Sequence, residues 1–227
     1  MQELISPLFP LLMPGLKSLW SYAETGFHSL SGAIVRESYH REALAHAFRI
    51  LGEGQLSLTK VLLLTDVDLD LKDFPRLLET ILQRFNPARD LIIINDTAMD
   101  TLDYTGRKFN QGSKAVMLGL GNPIRDLPRG YIGESLPGIT RVKPYCGGCL
   151  LISGTDYTSA PELGNEIIQQ NLTSLREWPL VILVDNADSI IDQTSFLWTV
   201  FTRFDPAFDI YAAHRYITIR SNMKARF

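Results

Sequence analysis

Four aspartates follow a short apolar run near residue 60. Residues 61–65 are almost all large and aliphatic, Asp66, Asp68 and Asp70 come next at alternate positions, and Asp73 is close behind. Carboxylates at the end of a strand can serve as nucleophile and general acid, hold a metal ion, or cap the helix that follows. The rest of the sequence has to distinguish among these three chemistries.

Two of the three chemistries fit the local sequence poorly. An Asp-x-Asp phosphatase expects Thr or Val where Asp70 stands, and a glycine-rich phosphate loop is missing after the strand. A calcium loop needs Gly and Glu where the chain has Leu71 and Leu77. An aspartate-dependent phosphotransferase at Asp66 therefore stays a minor alternative. Capping of a helix that begins near Asp73 explains the carboxylates best.

The elements around this turn alternate between strand and helix. Apolar periodicity predicts strands within 27–38, 61–65 and 91–95, and helices over 39–51, with Ser38 as N-cap, and 73–85. We read the strand, helix and strand from 61 to 95 as a right-handed crossover unit. The prediction is an α/β fold of three layers, with a mostly parallel sheet and helices on both faces.

The acidic turn and its helix occur twice. Asp66 and Asp185 lie 119 positions apart, and the same offset relates Arg84 to Arg203 and Asp90 to Asp209. Both copies continue into the irregular run R-F-[ND]-P-A-x-D, which hydrophobic periodicity alone would not produce. The sequence therefore predicts an internally duplicated strand-helix-strand unit.

The region between the copies is rich in glycine and proline. Residues 106–155 are interpreted as a hairpin insertion, in which Cys146 and Cys149 are two small thiols rather than a metal site. Lys114 could hold an anion or a partner carboxylate, although a surface lysine is the default. His28 and His214 lie in strand-like stretches and are interpreted as packed or exposed rather than catalytic.

Composition restricts the class of protein. An apolar content of 45% in 227 residues supports a real core, and a net charge of −3 disfavours binding to nucleic acid. No apolar run approaches the ~20 residues that span a bilayer. Two cysteines fit a reducing cytoplasm. Both ends look cut, so we expect 1–26 to be a linker from a missing preceding domain and 27–227 to be one α/β domain.

Several of these motifs together resemble the carboxy-terminal domain of the UbiD family, the decarboxylases that use prenylated flavin mononucleotide. The matching runs between Phe27 and Lys114 are TDVDLDLKDF, QRFNPARDLIIIND, LDYTG and GSK. Asn95–Asp100 departs modestly from the family's pattern, and FLWTVFTRFDPAFDIY in the second copy is similar to longer members, including some placed in menaquinone synthesis.

The resemblance implies a function for a longer protein. It implies non-oxidative decarboxylation of an aromatic or unsaturated acid in menaquinone or ubiquinone biosynthesis, with prenylated flavin, metal ions and catalytic residues on a preceding domain of the same polypeptide. This chain would close over the active site and support a homo-oligomer without being catalytic alone. A stand-alone interaction or oligomerisation module is the alternative.

No catalytic, cofactor-binding or metal-binding residue is assigned within the chain itself. The candidates for structural or interdomain roles are Asp66, Asp68, Asp70, Arg84, Asp90, Lys114, Asp185, Arg203 and Asp209.

Overall fold

The computed structural model of the chain describes residues 8–133, 138–170, 172–213 and 215–222. His214 lies outside the described residues. Among those described, no helix is long and apolar enough to cross a membrane.

The first half of the chain forms one five-stranded sheet. Its order is β1-β2-β3-β5-β4, in which the inner pairs β2–β3 and β3–β5 are parallel and the two edge pairs are antiparallel. The strands are β1 (Leu16–Ser21), β2 (Leu30–Val35), β3 (Val61–Thr65), β4 (Leu91–Ala98) and β5 (Gln111–Gly119).

The second half repeats this sheet strand for strand. Its order is β6-β7-β8-β10-β9, again with two parallel inner pairs and two antiparallel edge pairs. The strands are β6 (Ile139–Cys146), β7 (Cys149–Gly154), β8 (Leu180–Val184), β9 (Ile210–Ala212) and β10 (Ile217–Arg220). The predicted duplication is thus present and extends over both halves, well beyond one strand-helix-strand unit.

Helices cover the sheets on both faces. The helices are α1 (Phe9–Leu12), α2 (Glu42–Leu51), α3 (Phe74–Leu82), α4 (Pro87–Asp90), α5 (Leu163–Gln170), α6 (Gln193–Phe201) and α7 (Pro206–Asp209). Short 3-10 turns lie at Ala23–Thr25, Gly54–Leu58, Thr173–Leu175 and Ala187–Ser189.

Strand burial explains the layer order. Both β3 and β8 are buried on both faces, so alternate residues enter different cores. Leu62 and Leu64 pack with α2 on the outer side, whereas Val61 and Leu63 share a core with α3, α6 and β8. The remaining face of β8 packs against α5. The layers therefore run α2, first sheet, α3 with α6, second sheet, α5.

The α/β class is confirmed, but the strands form two mixed sheets within five layers, where we expect three layers with one mostly parallel sheet. The apolar run 91–95 is responsible for part of this difference. It belongs to β4, an edge strand antiparallel to β5, and half of the eight β4 residues are exposed to solvent. The parallel neighbours of β3 are β2 and β5 instead, so residues 61–95 are not a crossover unit with two parallel strands.

Segment boundaries also differ from the expectations. Residues 16–21, expected within a linker, form β1 and pair with β2. The expected insertion at 106–155 contributes β5 to the interior of the first sheet and a true hairpin, β6–β7, to the second. Helix α2 begins at Glu42 after Arg41, whose φ is 65°, and not after Ser38.

The two halves meet through equivalent residues. The Phe74 backbone N–H, at the start of α3, donates to the Gln193 side-chain oxygen at the start of α6 over 3.0 Å. These residues lie 119 positions apart, the offset of the duplication. Contact between equivalent positions is typical of an approximate two-fold axis, as in a symmetric dimer.

The close packing of α3 on β5 generates a prediction. A Cβ added to Gly119 would lie 2.5 Å from the Ile81 Cα, whereas one added to Gly130 would contact nothing within 4 Å. We expect Gly119→Ala to lower the free energy of unfolding by about 1–3 kcal/mol because α3 must shift. Gly130→Ala, the matched control, should change it by less than about 0.5 kcal/mol. Urea denaturation of both variants checks this, and equal stabilities would contradict the packing argument.

Candidate functional site

The four aspartates of the acidic turn do not converge on one point. Asp66 accepts a hydrogen bond from the Gly121 backbone N–H at 3.0 Å, and Asp68 pairs with Lys17 at 2.9 Å on the exposed surface. Asp70 accepts from the Lys72 backbone at 2.9 Å. Within the described part of the chain, no group of three His, Cys, Asp or Glu side chains could hold a metal ion.

Asp73 has the capping role that its position suggests. Its side chain accepts from the Arg76 backbone N–H at 3.1 Å at the start of α3. Asp192, its equivalent, accepts from the Ser195 N–H at 2.7 Å at the start of α6. Both carboxylates satisfy donors that a helix leaves unpaired at its N-terminus.

The run that follows each helix is a second duplicated hydrogen-bonded turn. Asp90 accepts from the Asn86 backbone N–H at 2.9 Å, and Asp209 accepts from the Asp205 N–H at 2.8 Å. In the first copy, Arg41 adds a contact to Asp90 at 2.7 Å. These contacts keep the chain turned between α3 and β4 and between α6 and β9.

The two equivalent arginines, Arg84 and Arg203, bind different partners near the ends of their helices. Arg84 donates to the Gly121 carbonyl at 2.7 Å, and Asp66 accepts from the Gly121 N–H. The two side chains therefore bind the same residue and do not contact each other. Arg203 instead pairs directly with Asp185 at 3.0 Å. In both copies the arginine near the helix end ties the helix to the carboxyl end of the sheet.

Lys114 is buried rather than at the surface. Its side chain is 5% exposed, and its Nζ donates to the Thr59 carbonyl at 3.1 Å and lies 3.6 Å from the Met99 sulfur. Burial lowers the pKa of Lys114 to about 8, because the charged form loses its hydration. The charge of Asp103 only partly opposes this shift in pKa.

Lys60 and Asp103 form a buried ion pair beside Lys114. Their Nζ and Oδ2 atoms are 2.9 Å apart, and Thr105 donates to the other Asp103 oxygen from its backbone at 2.9 Å. Burial raises the pKa of Asp103, but the charge of Lys60 and the hydrogen bonds from Lys60 and Thr105 outweigh it and lower the pKa below its usual range.

Sequence reasoning missed this ion pair, and one signal could have indicated it. Lys60 immediately precedes an otherwise apolar strand, and Val61 is in register with Ala115, which directly follows Lys114. Two lysines side by side where the buried parallel pairing of β3 with β5 begins require a carboxylate nearby. Asp103 could not be assigned to them, because it lies on a loop whose path the sequence does not determine.

The histidine and the two cysteines that the sequence singles out have separate surroundings. His28 contacts Asp100 through its Nδ1 atom, and both side chains are partly buried. Cys146 and Cys149 are free thiols that face each other in the β6–β7 hairpin, and burial raises the pKa of Cys149. The contacts of His28 with Asp100 and of Lys60 with Asp103 tie the loop that carries both aspartates to the first sheet.

The burial of Lys114 generates a pH prediction. Its pKa is lower in the folded than in the unfolded chain, so the unfolded chain binds more protons between about pH 8 and 10.5, and stability should rise with pH in this window. We expect Lys114→Met to lack this part of the rise. Lys17→Met, which removes an exposed lysine, should follow the wild type. Urea denaturation at pH 7.5, 9 and 10 checks this, and parallel profiles for wild type and Lys114→Met would contradict it.

Comparison with known proteins identifies the family. The family model described as the 3-octaprenyl-4-hydroxybenzoate carboxy-lyase C-terminal domain, that of UbiD, matches residues 1–119. A Chlamydia pneumoniae protein named as a subunit of 4-hydroxybenzoate decarboxylase is 48% identical over 231 aligned positions, which cover 100% of this chain and 38% of that protein. A Chlamydia trachomatis protein is 52% identical over 219, covering 96% of this chain and 37% of its own length.

Solved structures show a more distant likeness. The vanillic acid decarboxylase of Sedimentibacter hydroxybenzoicus, in closed form, has a TM-score of 0.47 at 17% identity and covers 74% of this chain and 31% of its own. The UbiD-class enzyme HmfF of Pelotomaculum thermopropionicum, in complex with FMN, has a TM-score of 0.46 at 17% identity, with coverages of 60% and 30%.

The chain spans less than two fifths of the length of these two Chlamydia relatives. The resemblance that the acidic turn, the R-F-N-P-A-R-D run and the G-S-K run indicate is confirmed by the family match over more than half of the chain. This chain belongs to the UbiD family, as its carboxy-terminal domain.

Proposed function

We propose that this chain is the carboxy-terminal domain of a non-oxidative decarboxylase acting on aromatic or unsaturated carboxylic acids in quinone biosynthesis. The observation that supports this most strongly is that the Chlamydia pneumoniae protein named as a subunit of 4-hydroxybenzoate decarboxylase aligns with the whole chain at 48% identity. Because the chain spans only 38% of that protein, the activity belongs to a longer polypeptide.

The flavin and its metal ions are proposed to lie on the preceding part of that polypeptide. Prenylated FMN carries a phosphate, which helix N-termini commonly bind through free backbone N–H groups. At the starts of four helices in this chain, a side chain already accepts a hydrogen bond from a backbone N–H group. These side chains are Asp73, Asn86, Asp192 and Asp205. The described residues also contain no metal cluster. These residues fit the cofactor poorly, so the chain itself is proposed to have no catalytic role when isolated.

Closure over the active site and support of a homo-oligomer are proposed from the surface of the chain. Leu11 and Leu12 on α1 are exposed, and Ile93 reaches solvent from β4. Strand β4 is an eight-residue sheet edge, and unpaired edges readily add another strand. Apolar side chains and an open edge on separate parts of the fold support contact with a preceding domain and with a second copy.

The test compares two polypeptides, the 227-residue chain and the complete protein with the additional length seen in its relatives. Both are produced with a source of prenylated FMN, and bound flavin is measured by absorbance. Loss of 4-hydroxybenzoate and of other aromatic and unsaturated acids is measured by chromatography. We expect the complete protein to bind flavin and consume at least one acid, whereas the 227-residue chain does neither.

Two results would overturn the proposal. Decarboxylation by the 227-residue chain alone would show that it is catalytic. A complete protein that consumes no acid, but has a magnesium-dependent phosphatase activity abolished by Asp66→Asn, would support the phosphotransferase alternative. Light scattering of the 227-residue chain tests the oligomer separately, since a monomer at high concentration would contradict that part of the proposal.

A further inference from the structure

An extended segment, residues 124–129, occupies a groove between α3 and the β6–β7 turn. Leu127 packs directly on the turn, since a Cβ added to Gly148 would lie 2.7 Å from its Cδ2 atom. The segment makes backbone and charged contacts along its length. These are Ile124 N–H to the Gln83 carbonyl (2.8 Å), Gly148 N–H to the Pro128 carbonyl (2.9 Å), and Arg129 to both carboxylate oxygens of Glu79 (2.9 and 3.0 Å).

The duplication creates a second copy of this groove on the other side of the two-fold axis. Four positions that form the first groove are Glu79, Gln83, Gly147 and Gly148. At an offset of 119, their equivalents are Trp198, Thr202, His28 and Ser29, in the same order. All four equivalents line one cavity of about 490 Å³.

A loop found only in the first half forms the remaining wall of this cavity. Ala115 and Ile217 occupy equivalent strand positions but differ by 102 residues rather than 119, so the first half is 17 residues longer here. The extra residues follow β4 and contribute Asp100, Leu102 and Asp103 to the cavity. The second groove is therefore a modified copy, with walls that its counterpart lacks.

The chemistry of the walls defines what would bind. Asp100 supplies a carboxylate, which His28 and the Leu102 backbone N–H contact, whereas Lys60 neutralises the charge of Asp103. Leu58 and Trp198 supply apolar surface, and Trp198 replaces the glutamate that holds Arg129 in the first groove. A carboxylate beside an exposed indole suits a basic side chain, which gains from both the charge and the ring face.

The apolar surface continues outside the cavity. Leu102 is 75% exposed, Tyr104 62%, Trp198 57% and Phe27 50%, and all four lie on the cavity's walls or next to them in sequence. Exposed apolar surface that surrounds a cavity is typical of a protein interface. We therefore take a separate polypeptide chain as the occupant of this surface.

We propose that this cavity is a docking site for an extended peptide segment of another polypeptide chain, carrying an aliphatic residue and an arginine or lysine. The segment lies between α6 and the start of β2 as residues 124–129 lie between α3 and the β6–β7 turn. Its aliphatic residue packs on Trp198 and Leu58, because His28 and Ser29 have side chains where the first groove has glycines. Its basic residue pairs with Asp100.

The test uses a fluorescein-labelled peptide with the sequence of residues 122–131, NPIRDLPRGY, as a probe of this class. Fluorescence anisotropy is followed as the complete 227-residue chain is added. We expect saturable binding with a Kd of about 10–100 μM, which is in the range of weak, transient recognition. A peptide with both arginines changed to glutamate should bind at least about tenfold more weakly.

Variants locate the binding on the chain. Trp198→Ala and Asp100→Asn should each weaken binding about tenfold or more, since both residues are proposed to contact the peptide. Phe48→Ala removes an exposed aromatic on α2, on the outer side of the first sheet, and should leave the affinity unchanged. Circular dichroism and the thermal midpoint verify that each variant is folded.

Three outcomes would overturn the proposal. The first is no saturable binding, and the second is equal binding by wild type, Trp198→Ala and Asp100→Asn. The third is binding that occurs only after residues 223–227 are removed, because the occupant would then be the chain's own terminus and not a separate polypeptide. None of these results depends on whether the complete protein is a decarboxylase.

Discussion

The shared core between the two sheets is the constraint on which the rest of the structure depends. Strands β3 and β8 each turn one apolar face towards the pair of helices α3 and α6, and residues of all four elements share one core. Phe74 of α3 lies 5.8 Å from Phe196 and 5.7 Å from Phe201 of α6, measured between ring centroids. Tyr145 of the second sheet stacks on Phe196 at 3.6 Å. Such pairs contribute about 0.5–1.5 kcal/mol each beyond their buried area, so neither half is complete without the other.

That core explains why polar groups are duplicated so faithfully at the ends of its helices. The first turn of any helix leaves backbone N–H groups without a partner inside the helix, and a side-chain acceptor at the N-cap stabilises them even where it is exposed, as Asp73 and Asp192 are. Asp73 and Asp192 supply it for α3 and α6, and Asn86 and Asp205 supply it for the short helices that follow. Much of the negative charge that first suggests an active site therefore satisfies backbone groups, and these positions repeat because the helices repeat.

Local sequence was sufficient to predict some elements and insufficient for others, for physical reasons. Strand β3, helix α3 and the offset of 119 follow from apolar period, capping and repetition, all of which act over short distances. The edge position of β4 does not follow from local sequence, because an inner strand and an edge strand can both have an apolar run. Phe48 of α2 is 52% exposed although its side chain is large and apolar, so residue type alone does not predict burial. Lys114 is buried by Thr59 and Met99, and contacts between residues this far apart in sequence have no local signature.

Departures from the two-fold relation make the surfaces of the two halves different. A duplicated fold has to conserve the residues that build its common core, and it is free to change those that only one copy uses. Glu79 receives Arg129 in one half, whereas its equivalent Trp198 faces a cavity bounded by a loop that the other half lacks. The buried pair of Lys60 and Asp103 holds that loop in place, and burying an ion pair is costly unless the partners are well matched. The ion pair fixes a loop beside one groove, and the chain's own residues 124–129 fill the equivalent groove. The two surfaces are therefore chemically distinct. The asymmetry of this carboxy-terminal domain is therefore where recognition specific to this protein is to be sought.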